Sequence, residues 1–86
     1  LVLLPGDPYI LDSLGWVHYR RGNLKLALEY LTLAMDQQPD AEIAAHLGEV
    51  LWHLGAKAEA ILAWEDGKSN DSDNPVLIDT LRKFGQ

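Results

Sequence analysis

The sequence predicts an all-α solenoid of two helix-turn-helix repeats followed by a C-terminal capping helix. The first observation is an internal repeat, in which a set of landmark residues returns after a constant shift of 33 positions. The landmarks Leu14-Gly15, Gly22, Ala27 and Leu31 return as Leu47-Gly48, Gly55, Ala60 and Trp64. The second observation is that apolar residues between the turn signals recur at helical spacing. Repeats of this length are typical of stacked helical hairpins.

The first repeat is predicted to cover residues 8–40. Its first helix follows Asp7 as N-cap, with Pro8 in the first helical position, and Gly22 ends it. Its second helix follows Asn23, which can cap it, and stops before Pro39. The apolar stripes predicted to face inward are Ile10, Leu11, Leu14 and Val17, then Leu24, Ala27, Leu28, Leu31 and Ala34.

The second repeat is predicted to cover residues 41–74. Asp40 caps its first helix, Gly55 ends that helix, and the second helix runs from about Ala56 to Ser69. The inward stripes are Ile43, Ala44, Leu47, Val50 and Leu51, then Ala60, Ile61 and Trp64. Residues 70–74 form a polar cluster that predicts a turn.

The two ends of the sequence also carry repeat signals. Residues 75–84 form a fifth helix whose sequence matches the start of the first helix, from Pro75 onward. Its polar residues Arg82 and Lys83 suit a capping helix, whose outer face meets water. Pro5 lies 34 positions before Pro39, so residues 1–5 are predicted to be the remnant of a preceding repeat. We expect residues 1–86 to form a single domain.

Composition excludes several functions. The net charge of -6 and the pI near 4.7 disfavour binding to nucleic acid or to an anionic membrane. The segment has no apolar run approaching the ~20 residues that cross a bilayer, so we expect no membrane insertion of this segment. It has no cysteine, which removes disulfides and thiolate-bound metals.

Small residues are placed where paired helices would cross. Gly15 with Ala27, and Gly48 with Ala60, allow the helix axes to approach to about 8–10 Å. The full pattern of the two units is Leu11, Leu14-Gly15, His18, Ala27, Leu31, Ala34 and Pro39, then Ala44, Leu47-Gly48, Leu51, Ala60, Trp64, Gly67 and Ser72. This pattern resembles the degenerate signature of the tetratricopeptide repeat (TPR) family over nearly the whole sequence.

A narrower resemblance concerns the sequence segments 14–16, 45–52 and 63–65. They are similar to the last repeats of proteobacterial TPR lipoproteins, some of which are periplasmic adaptors anchored in the outer membrane. This resemblance implies a periplasmic location, with the cytoplasm as the alternative. It also implies a protein partner of the kind such adaptors serve, a carboxyl-terminal processing protease.

The family resemblance implies that the first helix of each pair lines a concave groove. In this sequence the implied groove residues are Tyr9, Asp12, Ser13, Trp16, Tyr19 and Arg20 in the first unit, and Glu42, Ala45, His46, Glu49, Trp52 and His53 in the second. Aromatic residues with an arginine are typical of protein-binding hot spots. We expect an apolar or basic ligand segment, held by aromatic contact and by the acids Asp12, Glu42 and Glu49. The tryptophans Trp16 and Trp52 could instead pack against a neighbouring repeat or helix.

The positions of the histidines disfavour two other kinds of site, a metal site and a hydrolase site. His46, Glu49 and His53 share one helix face, but the two histidines are about 10 Å apart along the axis, too far for one metal ion. Asp12, Ser13 and His18 could be proposed as a hydrolase trio, but His18 points toward another face and no oxyanion loop is visible. We therefore expect no enzyme activity, no cofactor and no metal.

The sequence thus predicts a protein-protein interaction module, a scaffold or adaptor that binds a protein or peptide partner through its groove. The alternative is a structural role, in which the end of a longer repeat array associates with itself. The oligomeric state stays open at this point.

Overall fold

A computed structural model describes residues 7–86, and within this range the chain forms five α-helices and no strand. The helices are α1 (Pro8–Arg20), α2 (Leu24–Gln37), α3 (Ala41–His53), α4 (Lys57–Asp71) and α5 (Pro75–Lys83). α1 pairs with α2 and α3 with α4, and α5 packs chiefly on α3. The predicted all-α solenoid of two hairpins and a capping helix is confirmed. The predicted remnant of a repeat at residues 1–5 lies outside the described residues.

Polar side chains begin three of the helices. Asp7, Asp40 and Asn74 each accept hydrogen bonds from backbone N–H groups of the first helical turn, at 2.8–3.1 Å. Asn23 stands at the N-cap of α2 as predicted, but its side chain makes no capping hydrogen bond. Its backbone ψ of 70° departs from the extended conformation of Asp40 (ψ 139°), from which a side chain reaches the first turn.

Each hairpin turns at a glycine in the left-handed region. Gly22 has φ +84° and Gly55 has φ +89°, a conformation that glycine adopts at no steric cost. The residue after each glycine donates its N–H back to the helix just ended: Asn23 to the His18 carbonyl at 2.8 Å, and Ala56 to the Leu51 carbonyl at 2.9 Å. The two turns therefore satisfy the carbonyls of α1 and α3 in the same way.

Close helix crossings depend on missing side chains, as predicted. A Cβ at Gly15 would stand 3.3 Å from the Ala27 carbonyl oxygen and 2.7 Å from Leu31 Cγ. In the second hairpin the neighbour of Gly48 is the indole of Trp64. The crossing therefore packs an aromatic ring against glycine backbone.

The core is built around α3, which contacts every other helix. Its buried members come from α3, from Leu11 of α1 and from the facing sides of α2, α4 and α5. The largest fully buried side chains are Trp64, Leu31, Ile43, Leu77 and Val50. No helix within residues 7–86 is long and apolar enough to cross a bilayer.

The predicted inward stripe of α1 is wrong in large part. Leu11 is buried, but Ile10, Leu14 and Val17 are 56%, 40% and 48% exposed. Their counterparts 33 positions later, Ile43, Leu47 and Val50, lie against α2 and are buried or half-buried. The corresponding face of α1 has no described element packed on it, so the same residue types stay exposed.

The other helix boundaries differ from the predicted ones by a residue or two. α4 extends to Asp71, beyond the predicted end at Ser69, and the amide of Asn70 donates to the Asp66 carbonyl at 2.9 Å. The turn between α4 and α5 therefore covers residues 72–74 and is shorter than the turn predicted at residues 70–74.

Candidate functional site

Three helices, α1, α3 and α5, are the first members of their repeats, and α3 contacts both of the others. We call the surface that they form the groove face. It contains a cleft of about 220 Å³. The cleft is lined by Trp16, His46, Glu49, Val76, Asp79, Thr80 and Lys83.

Trp16 forms one wall of the cleft through a stack of aromatic rings. The Trp16 and His46 ring centres are 4.1 Å apart, and Tyr19 stacks on Trp16 at 4.7 Å. Nδ1 of His46 lies 2.7 Å from Oδ1 of Asp12, where the Nδ1–H donates to the carboxylate. Asp12 is buried, so this bond fixes the histidine ring and, through stacking, the orientation of Trp16.

Glu49 joins the three helices of the groove face. The whole residue is only 4% exposed, and its Oε2 accepts a hydrogen bond from the Tyr19 hydroxyl at 2.7 Å. Lys83 Nζ donates to the same oxygen at 3.0 Å. Burial raises the pKa of Tyr19 well above its ordinary value, and the hydrogen bond to Glu49 adds to the rise. The folded protein therefore favours the neutral, protonated form of Tyr19.

Trp52 lies away from the cleft, under the C-terminal end of the chain. It stacks on Trp64 at 5.7 Å and meets Phe84 at 5.4 Å between ring centres. Lys57 Nζ stands 4.9 Å from the ring centre. His53 also meets Phe84 edge-on, at 5.7 Å. Of the two predicted groove tryptophans, Trp16 borders the cleft and Trp52 packs with α4 and the chain end.

The other predicted groove residues occupy the edges of the face. The exposed Tyr9 donates its hydroxyl to Asp40 Oδ2 at 3.3 Å, and the negative charge of Asp40 raises the Tyr9 pKa. Ser13 is exposed and donates to the Tyr9 carbonyl at 3.0 Å. Arg20 and Glu42 are exposed, whereas Ala45 is fully buried and accepts the indole N–H of Trp64 at 3.2 Å.

The candidate hydrolase trio is not assembled. Asp12 pairs with His46, Ser13 donates to its own helix backbone, and His18 stacks on Tyr30 at 5.4 Å. Across residues 7–86, no three His, Asp or Glu side chains come close enough together to hold a metal ion.

The contribution of α5 to the cleft was missed by the residue-level prediction. Val76, Asp79, Thr80 and Lys83 occupy the same register in α5 as Tyr9, Asp12, Ser13 and Trp16 in α1. The match between the starts of the two helices, already visible in the sequence, could have assigned them to the groove.

These features define a class of fold, an all-α helical repeat whose first helices share one face. No protein-family model matches the chain. The chain is 57% identical over 47 residues to the TPR repeat-containing protein PA4667 of Pseudomonas aeruginosa; the match covers 55% of this chain and 8% of that protein. The match and the helical architecture support a tetratricopeptide repeat family for this chain.

Proposed function

We propose that this chain is a protein-interaction module that binds a protein partner through the groove face. The relative with TPR repeats favours an interaction module in general. The observation that carries the proposal is the half-exposed ring of Trp16 beside a cleft with charged groups on its other wall. An aromatic anchor next to charged side chains is the composition of a binding hot spot.

The charges of the groove face specify the partner further. Asp12 and Glu49 are buried and engaged by His46, Tyr19 and Lys83, so they serve the scaffold rather than a ligand. The exposed acids are Glu42 and Asp79. We expect a partner segment that places an apolar side chain on Trp16 and basic side chains near these two acids.

Internal hydrogen bonds support binding by holding the cleft in place before a partner arrives. The Asp12–His46 and Glu49–Tyr19 bonds both connect α1 to α3, and Lys83 connects α5 to α3. A site whose side chains are already fixed loses less conformational entropy on binding. The groove face is thus suited to a rigid mode of recognition.

The test is a pulldown from the source organism with the full-length parent protein and matched variants. Trp16→Ala and Asp79→Lys are expected to lose a partner that the parent retains. Glu65→Lys, which makes the same charge change as Asp79→Lys on the exposed side of α4, is the control and is expected to retain it. Unchanged capture by both groove variants, with helicity intact, would overturn the proposal.

Self-association is the second candidate function, favoured by the exposed apolar face of α1. Ile10, Leu14 and Val17 present the residue types that their repeat counterparts use to pack on α2. An exposed apolar patch of this kind drives association between proteins. Light scattering of Leu14→Gln tests it, with Leu62→Gln as the control, because Leu62 is also exposed but lies on α4. An oligomer that only Leu14→Gln dissociates supports this role, and a parent that is monomeric at high concentration removes it.

Adaptor function and location rest on the resemblance to periplasmic lipoproteins. TPR proteins are generally non-enzymatic scaffolds, and we propose the same for this chain. Export to the periplasm and a carboxyl-terminal processing protease as partner are proposals for the whole protein. Cell fractionation of the parent, together with the identity of the protein lost from the Trp16→Ala pulldown, tests both.

A further inference from the structure

A second groove runs between α2 and α4, away from the groove face. No Cα of α2 lies within 8 Å of a Cα of α4, so the two helices leave a channel with α3 beneath it. Two hollows of about 410 and 430 Å³ follow this channel and share Met35 and Asp66. We call this channel the outer groove. Its apolar lining is Leu28, Met35, Leu47, Leu51, Leu62 and Ala63.

The rim of the outer groove is acidic. Glu59 and Asp66 line the first hollow, and Asp36 and Asp66 line the second. No lysine or arginine lines either hollow, and none of these three acids takes part in an ion pair within the described part of the chain. The groove therefore joins an apolar floor to uncompensated negative charge.

Apolar surface remains open to solvent in this groove. Leu62 is 61% exposed, the most exposed of the large apolar side chains among residues 7–86. Leu28, Leu47 and Met35 are half-buried, so a ligand could remove further apolar area from water there. Contiguous apolar surface rimmed by polar side chains is typical of a docking surface.

We propose that the outer groove binds a basic amphipathic helix of a partner protein, independently of the groove face. The lining residues of α4 run from Glu59 to Asn70, about 16 Å at a rise of 1.5 Å per residue. This length accommodates about three turns of a helix. A helix with leucines on one face would cover Leu62 and Met35, and flanking lysines would meet Glu59, Asp36 and Asp66. The same acidic rim repels anionic lipid and nucleic acid.

The probe is a 14-residue peptide with two copies of the motif LKKLLKK, compared with the acidic peptide LEELLEE at the same length. Binding to the 86-residue chain is measured by fluorescence anisotropy at low and at physiological salt. The basic peptide is expected to bind saturably and the acidic peptide is not. Failure of the basic peptide to bind would overturn the proposal.

Variants assign the site. Leu62→Ser is expected to weaken binding roughly tenfold, because the leucine loses its apolar contact. The double variant Glu59→Lys with Asp66→Lys is expected to weaken it at least about tenfold, because two attractions become repulsions. All three positions are exposed, so the fold tolerates these changes.

Two controls separate this groove from other surfaces. Glu65→Lys reverses a charge on α4 that lines neither hollow of the outer groove and is expected to weaken binding less than about twofold. Trp16→Ala on the groove face is expected to leave peptide affinity unchanged. If Glu65→Lys weakens binding as much as the double variant Glu59→Lys with Asp66→Lys, the attraction is non-specific and the proposal fails. If Trp16→Ala abolishes binding while Leu62→Ser does not, the peptide occupies the groove face and the proposal also fails.

Discussion

The indole of Trp64 lies on Gly48, in the space that a Cβ at that position would occupy. Its Nε1–H donates to the Ala45 carbonyl at 3.2 Å, so the buried ring leaves no polar atom without a partner. Gly48 and Trp64 therefore fix how closely α3 and α4 approach, and a larger residue in place of the glycine must separate them.

Gly48→Ala is expected to destabilise the chain by roughly 1–3 kcal/mol, although alanine is the better helix former. The Trp64 ring is rigid and fully buried, so the overlap is relieved only by moving a helix. Gly15→Ala is the matched comparison, and we expect it to cost less because the nearest atoms belong to a Leu31 side chain that has other rotamers. Urea denaturation measures both. A Gly48→Ala variant as stable as the parent would contradict this packing.

Ala60→Leu is expected to overpack the same hairpin at a cost of roughly 1–3 kcal/mol. Ala60 is fully buried in the cluster that contains Trp64 and Leu77. Ala58→Leu is the control, because residue 58 is exposed on the same helix. Thermal denaturation should show a large loss for Ala60→Leu and little change for Ala58→Leu. Equal melting temperatures for Ala60→Leu and the parent would refute the assignment of Ala60 to the core.

Tyr19 is expected to ionise at a higher pH than an ordinary tyrosine. Burial, and then the bond to Glu49, raises its pKa above the ordinary value of 10.0. Protonated Tyr19 contributes its full stabilisation of the fold below pH 10. This contribution to the free energy of unfolding falls as the pH rises above 10, because the tyrosine loses its proton first in the unfolded chain. Asp40 raises the pKa of Tyr9 as well, so spectrophotometric titration of the three tyrosines should show Tyr19 as the last step, and Tyr19→Phe should remove that step. If Tyr19→Phe removes a step near pH 10 instead, the buried hydrogen bond is absent.

Glu49→Ala is expected to destabilise the chain by about 2 kcal/mol, since the Tyr19 hydroxyl loses its buried acceptor. Glu49→Gln should cost less, because its amide oxygen still accepts that bond. Glu42→Ala, an exposed acid on the same helix, is the control and should change stability by about 0.5 kcal/mol or less. Urea denaturation compares the three. Equal effects of Glu49→Ala and Glu42→Ala would show that Glu49 is not part of a buried bond.

The helices could be predicted from the sequence because their signals are local. The caps at Asp7 and Asp40 and the turns at Gly22 and Gly55 are set by neighbouring residues. The exposure of Leu14 could not be predicted from its residue type, because its counterpart Leu47 belongs to the same kind of apolar stripe. Leu47 is half-buried because α2, the second helix of the preceding repeat, packs on its face of α3, whereas no described helix packs on the face of α1 that carries Leu14. Burial depends on which element packs on a face, and a repeat pattern does not contain that information.

The sequence predicted which positions would line the groove but not which hydrogen bonds their side chains would make. Asp12 on α1 and Glu49 on α3 each lie on the same face of their helix as exposed residues. Helical spacing alone therefore does not predict that these two carboxylates are buried. Their partners His46 and Lys83 each lie 34 positions further along the chain, and Tyr19 lies 30 before Glu49. Such pairs form only when the repeats stack. Trp52 likewise meets Phe84, a contact made by the chain end beyond α5.

Photo-crosslinking tests the proposed role of the groove face most directly. A photoreactive amino acid is placed in the full-length parent at Ser13 or at Asp79, both exposed on the groove face, and at Glu65 as the control. We predict that one partner protein is crosslinked from Ser13 and from Asp79 and that Glu65 yields none of it. Crosslinks from Glu65 alone, or the same partner in equal amount from all three positions, would contradict binding through this face.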